Sequence, residues 1–290
     1  MYNQIVDFEN YQFILKTYPF RVFIRLLTYL VAVFRNKKFI LVFGMSRAGT
    51  SMLAQLLSQS PSTYYLHEPE AELMKYRFGS DWANKTKAFW DFVYSESQKD
   101  FKIHALTCIV LKAALLSDES IQTICIKPIS VLDAMPEASN AIKFAKVLYI
   151  SRHPAGRTES IMRQLVRDTN IPVIPLERLE SLGKDWGSMN KKVQKWFEHR
   201  PSWQWIFFET LTKKPIIEFR NLYKRLGLAW DENVQRKIEE RTTGKDGGFY
   251  EVQRDASKQA DKWRQALTAE QVEAIRRGTL PFETNLYEGF

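Results

Sequence analysis

The sequence predicts an α/β protein of three layers, α/β/α, around a central parallel sheet, because strand and helix signals alternate along the chain. Three segments carry this. Lys38 to Gly44 (KFILVFG) is a continuous apolar run that reads as a buried strand, with a short loop and a helix over Thr50–Ser58 behind it. Val147–Ser151 (VLYIS) is a second such run, and Pro154 after it suits the first turn of a helix reaching about Asp168. A third strand at Trp203–Phe208 leads into an amphipathic segment, Lys214–Leu226, closed by Gly227 as a C-terminal cap.

The remaining elements fill the gaps between these. Residues 1–37 form an N-terminal extension. Its Phe20–Phe34 segment, read as a helix, places Phe20, Phe23, Ile24, Leu27, Leu30, Val31 and Phe34 in one stripe, with Arg21, Arg25, Thr28 and Arg35 opposite. Two uses fit that pattern: docking the stripe on the domain core, or peripheral contact with a membrane. The segment is too short and too charged to span a bilayer, which takes about 20 apolar residues. Ser62–Leu66 is a short strand, residues 70–118 are mainly helical, and Ile121–Lys127 is a strand. Asn170–Pro175 interrupts regular structure before a helix near Asp185–His199. Arg241–Glu251 reads as loop. Thr268 with Gln271 forms a capping-box pattern for a last helix. Neither repeats nor a linker divide residues 38–290, so a single domain is expected there.

Of the 290 residues, 45% are hydrophobic and 26% charged, so a large core is within reach. The net charge of +9 favours anionic partners. The cations are scattered, with no run of five Lys or Arg, which argues against nucleic acid. Cys108 and Cys125 have no metal-ligand spacing, so no metal is expected, and so few cysteines fit a reducing, cytoplasmic setting. The N-terminus lacks the pattern of a secretory signal.

Phe39–Leu53 (FILVFGMSRAGTSML) is the most informative stretch. A buried strand enters a glycine-containing loop that opens a helix, an arrangement that aims backbone N–H groups and the helix dipole at one anion. The string Gly44-x-x-x-x-Gly49-Thr50-Ser51 is a Walker A pattern without its lysine. That lysine is what pairs with the β- and γ-phosphates of a nucleoside triphosphate. The cation lies instead inside the loop, at Arg47.

Ser46-Arg47-Ala48-Gly49-Thr50-Ser51 resembles the 5′-phosphosulfate loop of the 3′-phosphoadenosine-5′-phosphosulfate (PAPS)-dependent sulfotransferases, with Ala48 where a serine is usual. A second similarity is a strand ending in Arg152, then Pro154, with Ser160 eight residues beyond the arginine, which in that family binds the 3′-phosphate. Trp205–Leu211 through Pro215 to Leu226-Gly227-Leu228 resembles a structural unit of the family, and Trp263-Arg264 its C-terminal segment. The resemblance covers about residues 38–280. It implies a P-loop-like architecture, PAPS as donor, adenosine 3′,5′-bisphosphate as product, and two anion pockets gripping opposite ends of one nucleotide.

The resemblance also implies the chemistry. A sulfuryl group passes in line to a hydroxyl or amine, and Arg47 stabilises the leaving phosphate. The histidine that cytosolic members use after the third strand is absent at Ile126-Lys127-Pro128-Ile129. Glu68 in His67-Glu68-Pro69 occupies the position of the glutamate base of the carbohydrate- and protein-directed members. Glu68 is therefore the expected base, with His67 as the alternative, and Lys127 is a candidate contact to the leaving phosphate or the transferring group. Lys245–Arg254 is a candidate cover for the 3′-phosphate. A small-molecule, glycan or lipid acceptor fits the aromatic segments 70–118 and 170–200. Two other functions remain open: a P-loop nucleotide kinase, and a nucleotide-binding module without catalysis.

Overall fold

The computed structural model describes residues 18–69, 99–169, 174–243 and 256–287. Five strands form the expected parallel sheet, in the order β2-β3-β1-β4-β5. They are β1 (Lys38–Phe43), β2 (Thr63–His67), β3 (Thr123–Lys127), β4 (Lys146–Ser151) and β5 (Gln204–Phe207). β3 is buried throughout, and β1 and β4 are buried beyond their first residue. That is the mark of a sheet covered by helices on both faces. Apolar runs, rather than alternating patterns, are what such strands require.

The chain divides into two compact units, Met1–Phe43 with Ser60–Val147 and Gly44–Gln59 with Leu148–Phe290. In the first, β3 pairs in parallel with both β1 and β2, and His67 is the register partner of Lys127. Helix α1 (Tyr18–Phe34) packs on α3 (Lys99–Leu116). The docked face of α1 differs from the expected one. Ile24, Val31 and Ala32 are buried, as is Thr28, which was placed on the polar side. Its hydroxyl donates to the Ile24 carbonyl, so burying it leaves no unpaired group. Phe23 and Phe34, both members of the predicted stripe, are exposed.

The second unit pairs β4 with β5 and holds α2 (Thr50–Leu57), α5 (Pro154–Thr169) and α6 (Leu176–Glu198). It also holds α8 (Pro215–Leu226), whose buried Tyr223 donates its hydroxyl to the Leu56 carbonyl of α2 at 2.6 Å. Gly227 closes α8 in the left-handed region, as expected. Helix α6 begins nine residues before its predicted start, because Pro175 stands at its N-cap rather than in an extended break. Glu232–Thr243 is a helix where the sequence offers no element up to residue 240, and it corrects the expected loop at Arg241–Thr243, where Thr242 is buried. Thr268 and Gln271 make the predicted capping box at the start of the last helix, Ala269–Thr279. Lys245–Arg254 lies wholly outside the described residues, as do residues 70–98 and 170–173 of the expected acceptor side.

Candidate active site

The loop after β1 is shaped by its two glycines and by three arginines. A Cβ at Gly44 would lie 2.6 Å from the Ile150 carbonyl oxygen. Gly49, at the N-cap of α2, has φ 100°, and a Cβ there would lie 2.6 Å from the Phe208 ring. A side chain at Gly44 would require backbone movement, and one at Gly49 would strain a positive φ and displace the Phe208 ring. Arg47 also takes a positive φ, 67°, and the Ala48 N–H donates to the Met45 carbonyl at 3.1 Å to close the turn.

Two of the loop's carbonyls are held from outside by guanidinium groups. Arg157 donates to the Ser46 carbonyl at 3.1 Å, and Arg152 to the Arg47 carbonyl at 3.4 Å. Arg47 donates from Nε to the Ser160 hydroxyl at 2.9 Å. The phosphate loop and the Arg152–Ser160 motif, 113 residues apart at Arg47 and Ser160, thus meet through this hydrogen bond. Ala48 and Thr50 are buried, while Ser46 is exposed and Ser51 is half-buried.

Arg152 follows β4 and is only 5% exposed. Its guanidinium donates to the Gln259 carbonyl at 2.6 Å and lies 4.6 Å over the Phe208 ring. Among the described residues its buried Nε has no hydrogen-bond partner. Burial draws its pKa down to about 10, with Glu209 and Glu159 opposing. A buried, charged donor without a partner is costly, so this Nε is a candidate contact for an anion.

Sequence reasoning missed Arg157 and the frame around Arg152. Glu209 accepts from the His153 backbone N–H at 2.9 Å and from the Tyr287 hydroxyl at 3.0 Å. Trp186 donates to the Arg152 carbonyl at 2.9 Å. Burial raises the pKa of both Glu209 and Tyr287. His153 caps α5, its Nδ1 accepting from the Ala155 N–H at 3.2 Å, and its ring stacks on Trp263 at 4.4 Å. That capping bond requires an unprotonated Nδ1.

The other predicted residues gather in the first unit, at the C-terminal ends of β2 and β3. Lys127, 6% exposed, donates its Nζ to Oε1 of Glu68, and the Glu68 N–H donates to the Lys127 carbonyl at 2.8 Å. Glu68 takes a positive φ of 44°, which turns the chain as it leaves the sheet. His67 Nε2 lies 3.9 Å from Glu68 Oε1, and Nδ1 is 2.7 Å from the Tyr65 hydroxyl. Burial lowers the His67 pKa, with Glu68 opposing and Lys127 assisting. Carboxylate, ammonium and imidazole are thus contiguous here.

A family model described as the Sulfotransferase family matches residues 39–232. The chain belongs to that family. Its enzyme class is accordingly the PAPS-dependent sulfotransferase, and the kinase reading falls away. No curated protein sequence matches it. Among solved structures, sulfotransferase STF9 from Mycobacterium avium is similar at a TM-score of 0.53 and 12% identity, over 85% of this chain and 76% of that one. The sulfotransferase domain from the curacin biosynthetic pathway is similar at 0.50 and 16% identity, over 85% of this chain and 98% of that one. At such identities the likeness is one of fold, and it agrees with the α/β/α class of this sulfotransferase.

Proposed function

We propose that this sulfotransferase holds PAPS in the cluster built from Ser46–Ser51, Arg152 and Ser160, and passes its sulfuryl group to a hydroxyl or amine activated by Glu68. The observation that supports the donor site is the Arg47–Ser160 hydrogen bond, which joins the two motifs in one cluster beside the orphaned Nε of Arg152. When bound, the donor supplies a sulfuryl group carried on a phosphate leaving group.

The chain's own residues supply alignment and charge, the main demands of such a transfer. Loop N–H groups and Thr50 and Ser51 receive the 5′-phosphate end. Arg47 neutralises charge on the leaving oxygen but keeps its own proton throughout. Arg152 and Ser160 hold the 3′-phosphate.

Glu68 takes the acceptor proton. Among the described residues its contacts to Lys127 and His67 both fall on Oε1, so Oε2 is the oxygen assigned to that proton. Lys127 keeps the carboxylate oriented. His67, whose burial favours the neutral ring, is the alternative base. The acceptor belongs to a small molecule, glycan or lipid.

Thermal shift with adenosine 3′,5′-bisphosphate against ATP and Mg²⁺ tests the donor site, since a ligand that binds only the folded state raises the melting temperature. Stabilisation by the bisphosphate alone is expected, and stabilisation by ATP and Mg²⁺ alone would overturn the assignment. Transfer from labelled PAPS to a panel of alcohols and amines identifies the acceptor.

A further inference from the structure

Helix α1 is apolar on the face it docks and also on the face it does not. Ile24, Thr28, Val31 and Ala32 are the buried sector. On the outward side Val22, Leu26, Tyr29 and Val33 follow one another at helical spacing and are all exposed. Beside them Phe23 is 52% and Phe34 81% exposed. Arg21 and Arg25 are the only charged residues of the helix, and an exposed apolar face of this kind marks a surface that meets a partner or a membrane.

The apolar surface continues beyond the helix. The Tyr29 ring meets Phe144 at 5.5 Å, and Phe144 is 70% exposed on a residue of positive φ, 61°. Arg35 donates to the Leu115 carbonyl, tying the end of α1 to the end of α3, where Leu115 and Leu116 are exposed.

Cations rim this surface. Arg35, Lys38, Lys143 and Lys146 are exposed, and the Lys146 pKa is lowered by partial burial and then by the nearby Lys38. Among the described residues, Asp118 and Glu119 lie close to Lys37.

We propose that the outward face of α1, together with Phe144, seats in the headgroup region of an anionic bilayer, with Arg35, Lys38, Lys143 and Lys146 against its phosphates. The chemistry favours lipid over a protein partner, because lysine is depleted at protein interfaces. A second copy would bring two like-charged rims together. No helix among the described residues is long and apolar enough to cross a membrane, so the helix lies in the plane of the interface. The proposal is independent of the donor and base assignments.

Co-sedimentation of the full chain with phosphatidylcholine vesicles, with and without phosphatidylserine, tests it. Binding that needs phosphatidylserine and weakens with salt is expected. Phe23→Glu with Phe34→Glu should lower binding roughly tenfold or more, since both rings contribute buried apolar area. Lys143→Glu with Lys146→Glu should remove most of the phosphatidylserine preference. All four side chains are exposed, so unchanged melting temperatures are expected for these variants. Wild-type protein left in the supernatant with phosphatidylserine vesicles overturns the proposal, as does binding that ignores the Phe substitutions. A dimer that the Phe substitutions split, without vesicle binding, assigns the face to a second copy and overturns it equally.

Discussion

Arg152→Lys is the most direct probe of the donor site. The substitution keeps a positive charge after β4 but replaces a planar fork by a single ammonium. The native guanidinium reaches the Gln259 and Arg47 carbonyls and still has Nε without a partner among the described residues. A lysine has no rigid fork with which to span the two carbonyls and an incoming phosphate. One lost charge-assisted hydrogen bond is worth about 1.5–3 kcal/mol. Because Arg152 is 5% exposed, solvent screening discounts little of that. At 1.4 kcal/mol per decade, affinity for adenosine 3′,5′-bisphosphate should fall roughly tenfold to a hundredfold. Isothermal titration measures the change, and the ligand-free melting temperature separates lost binding from lost fold. An undiminished affinity in a well-folded variant would refute the reasoning and place the 3′-phosphate elsewhere.

Further outcomes follow from other contacts. Glu68→Gln should retain bisphosphate affinity and lose roughly a hundredfold or more in kcat, whereas a loss confined to a His67→Asn variant would move the base to the imidazole. Gly49→Ala combines a strained positive φ with a 2.6 Å approach to Phe208, so urea unfolding should show a loss of about 2–4 kcal/mol. Thr268→Ala removes one half of a capping box and should cost about 1 kcal/mol in the same assay. His153 gives a pH signature. Burial lowers its pKa from 6.5 to about 3, so below pH 6.5 the unfolded chain takes up a proton that the folded chain refuses. Stability should therefore fall as the pH drops from 6.5 toward 3, by up to about 1.4 kcal/mol per pH unit from this residue. His153→Asn, which can still accept the Ala155 N–H, should flatten that slope in unfolding curves taken at pH 6 and pH 4.

The strands were legible because buried parallel strands announce themselves as apolar runs, as KFILVF and KVLYIS do. The phosphate loop was legible because its glycines, cation and hydroxyls are contiguous in sequence. What lay beyond reach were contacts set by tertiary packing. Arg157 looks like an ordinary cation in the first turn of α5; only the fold brings it to the Ser46 carbonyl, 111 residues away. Its position five residues after Arg152 was the available hint. Glu232–Thr243 was missed because its polar sequence buries little besides Val234, Ile238 and Thr242. The docked face of α1 was misjudged because Thr28 counts as polar in any pattern, although a hydroxyl bonded to its own helix is cheap to bury.

The ion pair between Lys127 and Glu68 has a bearing on assembly as well as on chemistry. β2 ends the strand order, and most of its side chains are only half-buried, so apolar burial alone polices its alignment weakly. An offset of one residue would turn Lys127's neighbour to the opposite face and leave a nearly buried ammonium without its carboxylate. The cost of that orphaned charge penalises the slipped pairing. The same two groups proposed to handle the acceptor proton thereby act as a lock on strand alignment, and a misaligned molecule would be inactive as well as less stable.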